Sequence, residues 1–200
     1  MRLTSLQKIL WSLAGIAATA FVLGLLSLDD RAGQTRTSEE SPFAASFELT
    51  DHQGMIRTEE DFAGRWMLIF FGFANCPDIC PTTLAEVAAV MEGLGEEANK
   101  VQPVFISIDP ARDTPKALAE FVPLFDDRIL GLTGTPEQIA ATTETLPIYF
   151  ERIKEASAPD GYTMGHTSYL FLFGPDAGFI DSWPYGTPAE EILVNLRERI

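Results

Sequence analysis

Apolar and polar positions along this chain change period repeatedly, and the changes mark its elements. Ile9 to Leu28 is apolar without a charged residue over 20 positions. At about 1.5 Å per residue it is long enough to cross a hydrocarbon core of roughly 30 Å. Asp29 to Ser41 (DDRAGQTRTSEES) carries no large apolar group and predicts a tether. Beyond it, Phe47–Thr50 and Met55–Arg57 flank the turn Asp51-His52-Gln53-Gly54 and predict a short hairpin. Thr58 to Asp61 predicts a single capped helical turn. Trp66 to Phe73 and Val101 to Ile108 are continuous apolar runs, the pattern of strands covered on both faces. Between them, Leu84, Val87, Ala88, Met91 and Leu94 recur at helical spacing and predict a helix over Thr82–Ala98. Thr114-Pro115, Thr135-Pro136 and Thr187-Pro188 each predict a Thr N-cap with Pro at the first helical position, for helices to Phe121, Thr145 and Arg199. Leu146–Arg152, Thr167–Phe173 and Phe179–Trp183 read as strands, and the turn Gly174–Gly178 joins the last two as a hairpin.

The order is βαβ, then a β-hairpin and a terminal helix. It predicts an α/β domain of thioredoxin-like type, a central mixed sheet flanked by helices, with an N-terminal hairpin extension and extra elements in the middle. The predicted organisation is a cytoplasmic N-terminus over 1–8, an anchor over 9–28, a linker over 29–41 and one domain over 42–200. Arg2 and Lys8 precede the apolar span and Asp29 and Asp30 follow it, which places the domain on the exported side. A cleaved signal peptide is the competing reading, against which stand the length of the apolar stretch and the lack of an A-x-A-like site. The eight residues before the span leave no room for an organelle presequence, so the expected location is a bacterial inner membrane, single-pass, with the domain in the periplasm.

Charge narrows the partners. The chain carries a net −15, and setting aside the two cations Arg2 and Lys8 leaves −17 for the remainder. Nucleic acid and anionic lipid surfaces are therefore poor partners for the domain, whereas a cation or a basic docking face suits it better; the plain alternative is that the acidity serves solubility alone.

The chemistry concentrates in Cys76-Pro77-Asp78-Ile79-Cys80-Pro81, which holds both cysteines of the chain between a predicted strand and helix. A helix N-terminus favours thiolate. A structural disulfide is a poor account, because a loop of three intervening residues restricts the unfolded chain little. Thiol exchange and soft-metal binding remain. Redox centres of thioredoxin type have two residues between their cysteines; with three, the sulfurs lie four residues apart and converge on one helix face. Such a pair can chelate a metal and can also close into a disulfide. Asp78 between them either caps the helix or lies behind a bound cation.

Two histidines are available. His52 reads as a solvated turn residue. His166 precedes a strand in a Gly-flanked loop and, in a thioredoxin-like layout, faces the cysteine loop; its plain alternative is a histidine satisfied at the strand's edge. Two sulfurs and one imidazole are too few for a closed structural zinc site, but suit copper held for delivery with a position left open. Asp109, Arg112 and Asp113 follow a strand's C-terminal end, where Arg112 is expected to fix the loop through an ion pair.

Phe71–Leu84 (FGFANCPDICPTTL) and Ile106–Pro115 (ISIDPARDTP) resemble the two signature segments of the Sco/SenC family, and Gly131–Gly134 and His166 fall in the expected order. The resemblance covers the domain and implies a copper metallochaperone. Its ligands here would be Cys76, Cys80 and His166, with one copper ion, Cu(I) or Cu(II), per domain. The implied partner is the copper-receiving subunit of cytochrome c oxidase, whose binuclear site it would help to assemble, alongside other periplasmic copper or thiol carriers. The alternative is a thiol-disulfide oxidoreductase, with Cys76 and Cys80 as catalytic residues that reduce the partner's cysteines. A peroxidase of peroxiredoxin type is a weaker third reading. The family has an Asp where this chain has Gly165, and often another where it has Gly174. The proline that thioredoxins place before the corresponding strand is missing at His166-Thr167-Ser168, which favours binding over redox work.

Overall fold

The structure is a computed structural model that describes residues 41–144 and 146–200. The predicted segments 1–8 and 9–28, and all but the last residue of the predicted linker, lie outside them. Among the described residues no helix is long and apolar enough to cross a membrane.

Two apolar strands, β3 (Trp66–Gly72) and β4 (Val101–Ser107), form the parallel centre of a mixed sheet, with a single residue in each left only partly covered. Runs such as WMLIFFG need cover on both faces, and they receive it. The remaining strands are β1 (Glu48–Asp51), β2 (Ile56–Thr58), β5 (Leu130–Thr133), β8 (Tyr169–Phe173) and β9 (Phe179–Pro184), in the order β2-β1-β5-β4-β3-β8-β9. β5 is parallel to β4, while β1 and β8 join the sheet antiparallel. Two further strands, β6 (Phe150–Lys154) and β7 (Tyr162–His166), form an antiparallel hairpin outside this sheet.

Four helices complete the domain: α1 (Ile79–Leu94), α2 (Pro115–Phe121), α3 (Pro136–Glu144) and α4 (Ala189–Arg197). α1 and α4 pack together. Glu86 accepts the first amide of α4 at 2.8 Å, Arg197 donates to the Gly93 carbonyl, and a Cβ at Gly93 would meet Leu193 at 2.5 Å. The central core is aromatic, with Phe70, Phe71, Phe73, Phe105 and Phe173 all buried.

The expected thioredoxin-like arrangement is present, with specific departures. β5 and β7 were not anticipated as strands. β5 is a four-residue stretch containing Gly131, and β7 is mostly half-buried on an outlying hairpin, so neither has an apolar run or a strong alternation. The predicted strand over Leu146–Arg152 is displaced: Leu146 and Pro147 make a turn and β6 runs from Phe150 to Lys154. α1 begins at Ile79 rather than Thr82, which brings Cys80 into its first turn. It stops at Leu94 because Gly95 adopts φ 58°, and a 3-10 segment follows to Lys100. The side chain of Thr114 caps α2 and that of Thr135 accepts the Gln138 amide, as expected. Thr187 does not cap: its hydroxyl donates to the Pro184 carbonyl and α4 starts two residues later.

Gly72 ends β3 under the site. A Cβ there would lie 2.7 Å from Cys80 Sγ and 3.0 Å from the Phe70 and Phe105 rings. Gly72→Ala is therefore expected to destabilise the fold by roughly 1–3 kcal/mol through overpacking, read as a lowered denaturation midpoint with unchanged m-value.

Candidate metal centre

The turn between β3 and α1 carries both sulfurs. Two anchors shape it: the Cys76 amide donates to the Phe73 carbonyl at 3.2 Å, and the Ala74 amide donates to Asp113 Oδ2 at 2.9 Å. Asp113 is buried and also accepts the Ser107 hydroxyl at 2.6 Å. Burial, the largest influence, holds its carboxyl above the ordinary carboxylate range.

At the start of α1 the backbone amides lack intrahelical acceptors, and Pro81 removes one of these donors. The Cys80 amide donates instead to Cys76 Sγ at 3.4 Å. The expected capping role of Asp78 is not observed. Its side chain makes no cap hydrogen bond and lies exposed on the wall of a recess of about 390 Å³ that Phe73, Cys76, Ile79, Met164 and His166 also line.

Cys76 and Cys80 are free thiols in unequal surroundings, Cys80 fully buried and Cys76 half-buried. The Cys80 thiol, as hydrogen-bond donor, lowers the Cys76 pKa most; His166 and the amides of Cys80 and Asp78 add to the effect, against burial, and bring it down to about 4. Cys80 is pushed in the opposite direction by its neighbour's sulfur and by burial. One thiolate beside one thiol is the resulting state near neutral pH.

His166 arrives at the end of β7, paired with Phe150. Its Nδ1 lies 3.0 Å from the Thr167 carbonyl oxygen, which can only accept, so Nδ1 carries a proton and Nε2 is the atom turned toward the sulfurs, where a bound ion would take its lone pair. Nε2 stands 3.8 Å from Cys80 Sγ, and the three donor atoms all fall within 4.8 Å of one another. A three-ligand site with bonds of about 2.0–2.3 Å separates its donors by roughly 3.5–4 Å, so small side-chain adjustments suffice. Phe70 and Phe73 form T-shaped pairs with the imidazole at 6.1 and 5.9 Å between centroids, walling the site with apolar groups.

His52 lies elsewhere and is more than a solvated turn residue. Its amide donates to the Gly131 carbonyl and its Nδ1 accepts the Gly131 amide, tying the β1–β2 turn to β5. Arg112 does pair with Asp109, as expected, but also donates to the carbonyls of Pro159 and Tyr162 in the β6–β7 hairpin. Tyr162, with no role assigned from sequence, donates from its hydroxyl to Asp109 at 3.0 Å. The one available signal was Tyr162-x-Met164-x-His166, three residues that share a strand face. Gly165 stands where the resemblance leads one to expect a carboxylate; a Cβ there would meet only the movable end of the exposed Ile153 side chain, Cδ1 at 2.9 Å.

A thioredoxin-like domain bearing two cysteine sulfurs and an imidazole at the strand ends defines a soft-metal or thiol protein. The SCO1/SenC family profile matches residues 35–200. The chain is 36% identical over 195 residues to the mitochondrial protein SCO2 homolog of Bos taurus, spanning 94% of this chain and 73% of the relative. It is 32% identical over 187 residues to an SCO2-like protein of Rickettsia felis, with 92% and 91% covered. Among solved structures, Bradyrhizobium japonicum ScoI with copper bound superposes with a TM-score of 0.72 at 34% identity, covering 79% of this chain and 99% of that one. This chain belongs to the SCO1/SenC family.

With the Cys76 pKa near 4, iodoacetamide should alkylate the metal-free protein at one cysteine at a rate nearly independent of pH from 5.5 to 8. A rate that climbs tenfold per pH unit across that range would contradict the assigned thiolate. Peptide mapping should find the label on Cys76, with Cys80 unlabelled until the protein is denatured.

Proposed function

We propose that this chain is a membrane-anchored copper metallochaperone that takes one copper ion on Cys76, Cys80 and His166 and supports assembly of the binuclear copper site of cytochrome c oxidase. The observation that carries the proposal is the convergence of the three donor atoms within 4.8 Å from two separate parts of the fold. Two sulfurs and one imidazole select a soft ion. The copper-bound relative with the same fold supports that choice of ion. A site with three protein ligands at the edge of an open recess leaves the ion accessible to an incoming ligand of the receiving subunit. Asp78, exposed beside the site, adds negative charge that favours a cation without coordinating it. In this reading residues 1–8 are cytoplasmic, 9–28 anchor the chain in a bacterial inner membrane, 29–41 form the tether, and the domain over 42–200 works in the periplasm. The uncharged stretch and the rickettsial relatives support this placement.

The inequality of the two cysteines supports a second reading, thiol-disulfide exchange. Cys76 thiolate would attack a partner disulfide, forming a mixed disulfide and releasing one partner thiolate. Cys80, on losing its proton, would displace the second, leaving a Cys76–Cys80 disulfide and a partner reduced by two electrons.

Purified full-length protein in detergent, reduced and offered Cu(I), should bind one equivalent. His166→Ala should lower its affinity by more than roughly tenfold, and Cys76→Ser or Cys80→Ser should abolish tight binding, measured by chelator competition. Unchanged stoichiometry and affinity in His166→Ala would refute the ligand set. Oxidase assembly that survives His166→Ala but fails in both cysteine variants would select the exchange reading instead.

A further inference from the structure

The loop between β4 and α2 reaches both halves of the centre. Asp113 accepts the Ala74 amide and so holds the turn that carries the cysteines. One residue earlier, Arg112 reaches the other way: its Nη1 donates to the carbonyls of Pro159 and Tyr162, each at 3.2 Å, at the tip of the β6–β7 hairpin. Its Nε is paired with Asp109, which also receives the Tyr162 hydroxyl. The Tyr162 ring is clasped between two guanidinium groups, Arg112 at 3.9 Å and Arg152 at 3.6 Å from its centroid, distances that require opposite faces.

β7 converts this grip into a ligand position. Tyr162, Met164 and His166 point to one side of the strand, four residues and about 13 Å from first to last. Tyr162 is buried under the clasp, Met164 packs against the core, and His166 lies beside Cys80. The hairpin is no part of the seven-stranded sheet, so main-chain pairing to that sheet does not set where β7 lies.

We infer that Arg112, with Asp109 and Tyr162, is a positioning clasp that holds the β6–β7 hairpin so that His166 meets the cysteine pair. Arg112 touches no donor atom and acts through the hairpin. The inference rests on the proposed metal reading for its consequence, but the clasp itself is testable without metal.

Full-length protein in detergent serves for three measurements on Arg112→Met and Tyr162→Phe, each alone and combined with His166→Ala. In metal-free protein, hydrogen exchange over residues 150–166 should speed up in both variants, while the rate of Cys76 alkylation stays at the wild-type value. Cu(I) affinity should fall roughly tenfold to a hundredfold for Arg112→Met, and less for Tyr162→Phe, which keeps the ring. In the His166→Ala background neither change should weaken Cu(I) binding further. Unaltered exchange in the hairpin overturns the clasp, whatever the metal result. An equal loss of affinity with and without His166 shows that Arg112 does not act through it and overturns the inference. Wild-type protein that takes no Cu(I) defeats the metal reading, while the exchange data still decide the clasp. Should Arg112→Met fail to fold, Tyr162→Phe decides the same comparisons.

Discussion

The parallel pairing of β3 with β4 is the constraint on which the rest of the molecule depends. Gly72 lies opposite Ser107, and the Ile108 amide donates to the Gly72 carbonyl at 2.9 Å, so both strands end at one level. The cysteine turn leaves one strand end and the Asp109–Asp113 loop leaves the other. Their proximity lets a single buried carboxylate, Asp113, reach Ala74 and Ser107 together. Strand ends at this level of an α/β sheet are where ligands collect, and the three candidate donors of this chain gather there.

The two cysteines differ because of what surrounds each. Cys80 lies inside, with no space between its sulfur and Gly72, whereas Cys76 sits half-exposed at the helix mouth with an amide pointed at it. Stabilising charge on the outer sulfur leaves the inner one protonated, an arrangement that suits both proposed reactions, ion capture and thiol exchange. Both reactions begin with the outer thiolate, and both need the inner proton to leave.

The third donor comes from a different kind of structure. Cysteine positions are set by a sheet, a helix and a buried carboxylate, whereas His166 is delivered by a two-stranded hairpin whose outer strand β6 is exposed beyond Phe150 and whose inner strand β7 is mostly half-buried. Such a hairpin is marginal by itself and depends on side-chain contacts for its placement. Arg112, Tyr162 and Met164 supply them. In the proposed metal reading, a site assembled from one rigid and one side-chain-fastened half would hold an ion and still allow its removal.

Much of this was legible in the linear chain. The runs around Trp66–Gly72 and Val101–Ser107 declared central strands, because only strands covered on both faces tolerate such composition. The four-residue cysteine spacing and the scarcity of histidine pointed to the three donors that converge. Local rules failed where tertiary contacts outweigh them. Gly165 has little strand preference, and β7 is completed by its pairing with β6. α1 starts three residues earlier than expected, the Asp78 carbonyl accepting the Thr82 amide and the Cys76 sulfur the Cys80 amide, a partnership no spacing rule expresses. By itself the sequence determined which atoms can bind and which strands form the centre, since both follow from residue chemistry and short-range pattern. Only the tertiary structure decided which cysteine ionises and what holds the histidine in reach, because the first depends on burial and on the folded shape of the cysteine turn, and the second on partners 47 and 50 positions apart in the chain.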